Sequence, residues 1–255
     1  MVEHTTRAFD LDLQELASKI RQMGRSDDEQ IASATEALLK GDTALARRVV
    51  AADDLIDAQQ RDIEEKAIST IARRQPMAVD LREIVGAFRI SNDLERIGDL
   101  AENLAKRAVL LTGEVRIEEV MLQLHRMVQF ARDQLRLVLE SYERRDVAEA
   151  FEVWRKDREL DALNNSLFRE LLTHMMENPR NIPFCAHMLF CAKNIERMGD
   201  HATNIAETVY YIVEGRGLPQ ERPKADLTSK ETLPEPAVVL ELSKKPEPSA
   251  NVQET

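Results

Sequence analysis

The hydrophobic residues near the start of this chain follow the period of an α-helix. They recur at alternating steps of three and four residues, at Phe9, Leu13, Leu16, Ile20 and Met23. This spacing places them on one stripe of a helix. We predict a first helix that runs to about Lys40. Gly24 and residues 26–29, which resemble a capping box, leave open an interruption of that helix or an exposed polar turn.

Turn signals divide the rest of the chain into five further predicted helices. Asp42 and Asp146 lie at predicted turns and are good N-cap residues for the helices that follow them. Pro76 is well placed as the first residue of the third helix. The predicted bounds are about 43–74, 76–112, 116–144, 147–178 and 183–214. Several of these helices are near 30 residues long, or about 45 Å, and they predict an elongated all-α bundle.

The third and sixth predicted helices share a sequence pattern. NDLERIGDLAEN at residues 92–103 aligns with KNIERMGDHATN at residues 193–204, with six identical positions at an offset of 101. On the second and fifth helices, Asp-x-x-x-Asp-Ala begins at Asp53 and again at Asp157, an offset of 104. Such a repeat indicates an internal duplication.

The duplication predicts an all-α fold of two tandem three-helix bundles. We assign residues 1–113 to the first bundle and residues 114–215 to the second. Six of the nine prolines follow Gly217, mixed with Glu, Lys and Ser. We therefore predict that residues 216–255 form a disordered tail.

Composition and charge exclude several classes of function. The formal net charge is −11, and no block of Lys and Arg offsets it, so we expect neither nucleic-acid binding nor direct membrane insertion. The N-terminus lacks the pattern of a secretory signal, and no run of about 18 apolar residues occurs, so we expect a cytoplasmic protein. The spacing of Cys185 and Cys191 suits neither a disulfide nor a CxxC metal site, and we expect both in the core.

Acidic residues occupy the repeated positions in pairs spaced i, i+4. In each pair the first acid falls on the apolar stripe of its helix. The pairs are Asp53 and Asp57, Glu95 and Asp99, Asp157 and Asp161, and Glu196 and Asp200. Carboxylates that gather on a partly buried face repel one another and lose hydration, and a multivalent cation relieves that cost.

The pairs therefore predict two metal sites. Ligation by oxygen suits hard divalent or trivalent ions such as Mg²⁺, Mn²⁺, Ca²⁺ or iron, and carboxylates also bind Zn²⁺. Asn103 and Asn204, one turn further along, could add amide oxygens, and His201 is either a secondary ligand or a polar flank. The alternative is that the acids form surface salt bridges, with Arg96 and Arg197 pairing at i+3.

These motifs resemble the PhoU family of phosphate-transport regulators. The resemblance rests on ERxGDxAxN in both halves, on Asp-x-x-x-Asp in the preceding helices and on RQPMAVDLR at residues 74–82, and it covers about residues 12–214. It implies two three-helix bundles that carry carboxylate-bound metal clusters, and frequent formation of a homodimer. The first cluster would use Asp53, Asp57, Glu95 and Asp99, and the second Asp157, Asp161, Glu196 and Asp200.

The resemblance also implies a function. Members of this family act beside the phosphate ABC transporter and its ATPase subunit. They restrain phosphate uptake and hold a partner sensor histidine kinase in its repressing state when phosphate is plentiful. This chain is accordingly expected to be a negative regulator of the phosphate-starvation response that works by protein contact.

Two other functions are considered. A ferritin-like di-metal enzyme would use Glu-x-x-His pairs, and none lies at the repeated positions. The sequence also lacks GxSxG and phosphate-loop motifs, so we do not expect an enzyme. The second alternative is a helical scaffold whose acids only add solubility, which would purify without stoichiometric metal.

Overall fold

A computed structural model describes residues 2–114 and 116–218, and the side chains from residue 8 onward. Within these residues the chain forms six α-helices and no strand, which confirms the predicted all-α class. The helices are α1 Val2–Lys40, α2 Thr43–Arg74, α3 Val79–Leu110, α4 Glu118–Arg144, α5 Val147–Glu177 and α6 Ile182–Glu214, with a 3₁₀ turn at Pro179–Asn181. All but the first three residues of the predicted tail lie outside the described residues.

The helices pack as two three-helix groups that meet through α3 and α6. Gly86, early in α3, lies against Ile212, late in α6. Arg107, late in α3, lies 3.3 Å from His187, early in α6, measured from Nη1 to Nδ1. The two helices are therefore antiparallel.

A second antiparallel contact joins α1 to α4. Arg21 in α1 forms an ion pair with Glu143 near the end of α4. Arg116, just before α4, donates a hydrogen bond of 2.7 Å to the carbonyl oxygen of Leu39, near the end of α1. Both contacts between the bundles thus agree with an approximate two-fold relation between the two copies.

The predicted N-caps of α2 and α5 are present. Asp42 accepts a hydrogen bond of 2.9 Å from the amide of Leu45. Asp146 accepts hydrogen bonds of 2.8 and 3.1 Å from the amides of Ala148 and Glu149. These carboxylates satisfy amide groups that the first helical turn leaves without a partner.

The predicted start of α3 at Pro76 is wrong, because the helix begins at Val79. Gln75 ends α2 with a φ of 50°, and Ala78 also has a φ of 50°. Two residues with positive φ therefore turn the chain between the helices, and Pro76 lies inside that turn rather than in the first helical turn.

The first helix ends at Lys40, as predicted, and the alternative of an interruption near its middle is wrong. The helix runs without interruption through Gly24, and the side chain of Asp27 is buried, so residues 26–29 are not a helix start. A Cβ atom at position 24 would lie 2.4 Å from Cδ1 of Leu139 in α4. Gly24 therefore serves the close approach of α1 and α4 and does not break the helix.

The apolar stripes of the six helices form one continuous core. Cys185 and Cys191 are both free and buried in it, as predicted, and burial raises the pKa of Cys191 to about 12. Among the described residues, none of the helices carries an apolar stretch long enough to cross a membrane.

Candidate metal centres

The four acids of the first copy lie on two helices that pack together. Asp53 and Asp57 are on α2, and Glu95 and Asp99 are on α3, and all four side chains are half-buried. Gly98 brings the helices together, since a Cβ atom there would lie 3.0 Å from Cγ2 of Ile56. Gly98 therefore allows α2 and α3 to approach closely beside the acids.

The electrostatics of this first cluster disfavour its charged form. Burial raises the pKa of Asp53 above its ordinary value. The nearby negative charges of Glu102, Asp99 and Asp57 raise it further, although a hydrogen bond of 3.1 Å from Nε2 of Gln30 works in the opposite direction. The cluster thus concentrates negative charge in a place with reduced access to water.

Glu95 shows the same effect. Burial raises its pKa first, and the charge of Asp99 then adds to the shift, while Arg96 opposes it. The charges of Asp57 and Asp53 make smaller contributions in the same direction as Asp99. Acids from both helices are therefore close enough to repel one another.

Arginines partly offset this repulsion at the solvent side. Nη1 of Arg96 lies 3.1 Å from Oδ2 of Asp99, and its Nε lies 3.4 Å from Oε2 of Glu95. Arg61 lies 3.7 Å from Asp57. The predicted i+3 salt bridge of Arg96 is thus present in the first copy. Such exposed pairs stabilise a fold by about 0–1 kcal/mol each, which leaves the buried part of the cluster uncompensated.

The acids of the second copy lie on α5 and α6 and are more buried. The exposed fractions of Asp157, Asp161 and Glu196 are 2%, 3% and 4%, and only Asp200 is half-buried. Thr203 donates a hydrogen bond of 3.2 Å to Oδ1 of Asp157. Lys193 forms an ion pair of 2.9 Å with Oε2 of Glu196. The two copies therefore place equivalent acids in different environments.

The structure places the predicted acids of each copy on two helices that pack together, but not in ligand geometry. Within the described part of the chain, no three carboxylate, imidazole or thiolate groups are arranged to hold one metal ion. The chemistry of the donors nevertheless fits a hard cation, and mutual repulsion is the condition that such an ion relieves. The two metal sites therefore stay a prediction.

His201 and Asn204 both contact a residue of the other bundle. Nδ1 of His201 lies 2.9 Å from Oδ1 of Asp93, and Asn204 donates a hydrogen bond of 3.2 Å to the same oxygen. In this conformation the two side chains join α6 to α3. The geometry therefore favours the interpretation of His201 as a polar flank of the second cluster.

Two polar residues of α1 that were not among the predicted site residues lie beside the first cluster. Asp27 is fully buried, and Gln30 is buried and donates to Asp53. The internal repeat could have identified Gln30, because Gln134 lies 104 residues after it. The same offset relates Asp53 to Asp157. Asp27 has Ala131 at the corresponding position, so no repeat marks it.

Sequence comparison relates both halves of the chain to one family. The PhoU domain matches residues 20–108 and again residues 124–209. The predicted domain limits, 1–113 and 114–215, enclose these matches, but the limits themselves stay predictions.

Two curated relatives match nearly the whole chain. The chain is 50% identical over 226 residues to the phosphate-specific transport system accessory protein PhoU homolog of Rhizobium meliloti, a match that covers 89% of this chain and 95% of that protein. It is 44% identical over 230 residues to the protein of the same description from Caulobacter vibrioides, which covers 90% of this chain and all of that protein.

Solved structures show the same fold. PhoU from Pseudomonas aeruginosa superposes with a TM-score of 0.78 at 35% identity, and the match covers 82% of this chain and all of that one. The phosphate transport system regulatory protein PhoU from Streptococcus pneumoniae superposes with a TM-score of 0.77 at 27% identity, covering 83% of this chain and all of that one.

Proposed function

Because this chain belongs to the PhoU family, we propose that it serves a phosphate-specific transport system as its accessory protein and represses the phosphate-starvation response when phosphate is abundant. The observation that carries this proposal is the match of both repeats to the PhoU domain, together with 50% identity to a curated accessory protein over 89% of the chain. A regulator of this kind acts by binding other proteins.

The proposed partners are the ATPase subunit of the phosphate ABC transporter and a sensor histidine kinase. Exposed apolar side chains near the two inter-helix turns support contact with other proteins. Met77 and Val79 are 80% and 51% exposed at the α2–α3 turn, and Met176 and Ile182 are 77% and 47% exposed at the α5–α6 turn. Each turn comes directly before one of the two antiparallel helices, α3 or α6. The two turns therefore lie at opposite ends of the α3–α6 pair.

Direct binding tests this part of the proposal. Purified chain should bind the immobilised ATPase subunit or the kinase saturably in biolayer interferometry, and the double variant Met77→Glu, Met176→Glu should weaken that binding at least fivefold. Leu55→Glu is the matched control, since Leu55 is 57% exposed near the middle of α2, away from both turns. Absence of binding to both partners would contradict the proposal. The homodimer that the family resemblance implies stays a prediction, which sedimentation analysis can check.

We further propose that the two acidic sets bind metal ions. A bound divalent or trivalent cation would offset the repulsion that burial and neighbouring charges impose on Asp53 and Glu95. The residues that would hold it are Asp53, Asp57, Glu95 and Asp99 in the first set, and Asp157, Asp161, Glu196 and Asp200 in the second.

Elemental analysis of protein purified without chelator measures this directly. We expect bound metal in the natural chain and its loss from the quadruple variant Asp53→Ala, Glu95→Ala, Asp157→Ala, Glu196→Ala. A control with the same change in charge replaces four exposed acids, namely Asp54, Asp133, Glu159 and Glu65, and should keep its metal. Equal and negligible metal in the natural chain and the quadruple variant would favour a helical scaffold instead.

A further inference from the structure

Asp27 is a buried acid for which the described residues provide no compensation. Its side chain is 0% exposed, and neither carboxyl oxygen has a hydrogen-bond partner among the described residues. Buried polar groups are otherwise almost always paired, because an unpaired one costs free energy. Burial raises the pKa of Asp27 well above its ordinary value, and the charges of Asp53 and Glu95 raise it further.

The carboxyl group of Asp27 is directed at the seam between α2 and α3. A Cβ atom on Gly98 would lie 3.3 Å from Oδ1 of Asp27 and 3.4 Å from Oε1 of Gln30. Gln30 in turn donates to Oδ1 of Asp53 over 3.1 Å. Asp27 therefore lies directly behind the first acidic set, on the core side.

The second copy has no counterpart to this acid. The offset of 104 that pairs Asp53 with Asp157 places Gln134 at the position of Gln30 and Ala131 at the position of Asp27. The geometry agrees with this alignment, because Oε1 of Gln134 would lie 3.1 Å from a Cβ atom on Gly199, the counterpart of Gly98. The side chain of Ala131 is also buried. The second set thus has a methyl group where the first has a carboxyl group.

We propose that Asp27 is an additional, buried ligand of the first metal site, and that this site therefore binds divalent cations more tightly than the second. The inference rests on the proposed metal binding and specifies how the two sites differ. A further anionic oxygen donor at a place with little water strengthens the attraction for a cation. Rotation of the Asp27 carboxyl group towards the set breaks no hydrogen bond in the described structure.

Titration with Mn²⁺ tests whether the first site binds a divalent cation more tightly than the second. Free Mn²⁺ has a strong electron paramagnetic resonance signal that is lost on binding, so the titration counts sites and gives their affinities. Metal-free natural chain should show a tight and a weaker class of site. Asp27→Asn should weaken the tight class at least tenfold and leave the weaker class unchanged. Combining Asp157→Ala with Glu196→Ala should remove the weaker class alone.

The neighbouring acid gives a matched control. Asp28 is also an α1 carboxylate, but it pairs with Arg132 and Arg136 and not with the cluster. Asp28→Asn should therefore titrate like the natural chain. Asp27→Asn removes no described hydrogen bond, and the metal-free variant should melt at the same temperature as the natural chain or higher. If it does not fold, Asp27→Ala provides the same comparison.

Two results would overturn the inference in distinguishable ways. Suppose that the natural chain binds Mn²⁺, but that Asp27→Asn titrates identically or the two sites have equal Mn²⁺ affinity. Asp27 is then not a ligand, while the proposed metal binding stands. If the natural chain binds no Mn²⁺, both proposals fail together.

Discussion

Asp27 and Asp28 are adjacent in α1 but meet opposite environments. The carboxylate of Asp28 accepts hydrogen bonds of 2.7 and 3.0 Å from Arg132 and of 2.9 and 3.3 Å from Arg136, both on α4. Burial opposes ionisation of Asp28, but the hydrogen bonds from the two arginines outweigh it and lower the pKa. The ionised form of Asp28 therefore stabilises the contact between the two bundles.

Removing this charge should destabilise the fold. We expect Asp28→Asn to lower the free energy of unfolding by about 1–3 kcal/mol at pH 7, because it leaves a partly buried guanidinium group with a weaker partner. Urea denaturation measures the change. In the control Asp133→Asn, the lost pair with Arg136 is 3.4 Å long and the Asp133 side chain is 72% exposed, so the change should stay below about 0.5 kcal/mol. Equal effects of the two variants would contradict this account.

The lowered pKa of Asp28 predicts that its contribution to the free energy of unfolding depends on pH. The folded-state pKa of Asp28 is lowered, so its contribution is fully present above the unfolded-state pKa of about 4 and is lost as the pH falls through the folded-state value. The difference in unfolding free energy between the natural chain and Asp28→Asn should therefore be constant from pH 7 to about pH 5 and shrink below pH 4. A difference that grows in acid would contradict the sign of this linkage.

The same residues show what periodicity cannot predict. The helical stripe around Ile20 and Met23 is readable from spacing alone, because a long amphipathic helix repeats its signal over many turns. Continuing the steps of four and three from Met23 reaches Asp27 and Gln30, so the spacing places Asp27 on the same stripe. Periodicity does not predict that Asp27 lacks a hydrogen-bond partner among the described residues while Asp28 pairs with Arg132 of α4, because those contacts depend on how α1 packs. Residues 26–29, which resemble a capping box, lie inside α1 and begin no helix.

At the scale of the elements, the helices were predictable, and the connection between α2 and α3 was not. The Asp42 and Asp146 caps have a local cause, a side-chain oxygen beside free amides, and local sequence reveals it. The start of α3 depends on the positive φ angles of Gln75 and Ala78, residue types that rarely adopt them. No propensity argument favours a turn of that form.

The antiparallel packing of α3 and α6 makes a prediction about Gly86. A Cβ atom there would lie 2.4 Å from Cδ1 and 2.6 Å from Cγ1 of the buried Ile212. We expect Gly86→Val to cost about 1–3 kcal/mol of unfolding free energy through overpacking. Ile212→Ala alone should cost about 2–5 kcal/mol by leaving a cavity.

A double-mutant cycle separates the contact from other effects. If the new side chain at position 86 occupies the space that Ile212 leaves, the double variant should be more stable than the sum of the two single changes predicts, by at least about 1 kcal/mol. Thermal or urea unfolding of all four proteins gives the values. Additivity within about 0.5 kcal/mol would show that the two positions do not share this space.

At the scale of the whole molecule, the internal repeat predicted two equivalent bundles, and the fold confirms it. A sequence offset shows that two segments fold alike but carries no information on how they are arranged against each other. The antiparallel contacts of α3 with α6 and of α1 with α4 therefore came only from the structure. The offset also identified the acids but not their unequal burial, since burial depends on residues such as Lys193 and Thr203 that do not recur.

The central claim is that this PhoU-family chain represses the phosphate-starvation response, and a reporter of that response in its native cell tests it most directly. The gene is deleted and alkaline phosphatase activity is measured in phosphate-rich medium, with the natural chain supplied from a plasmid as the control. We predict high alkaline phosphatase activity in the deletion strain and its return to the repressed level with the plasmid. Unchanged alkaline phosphatase activity and unchanged phosphate uptake in a strain without a second copy of the gene would contradict the account.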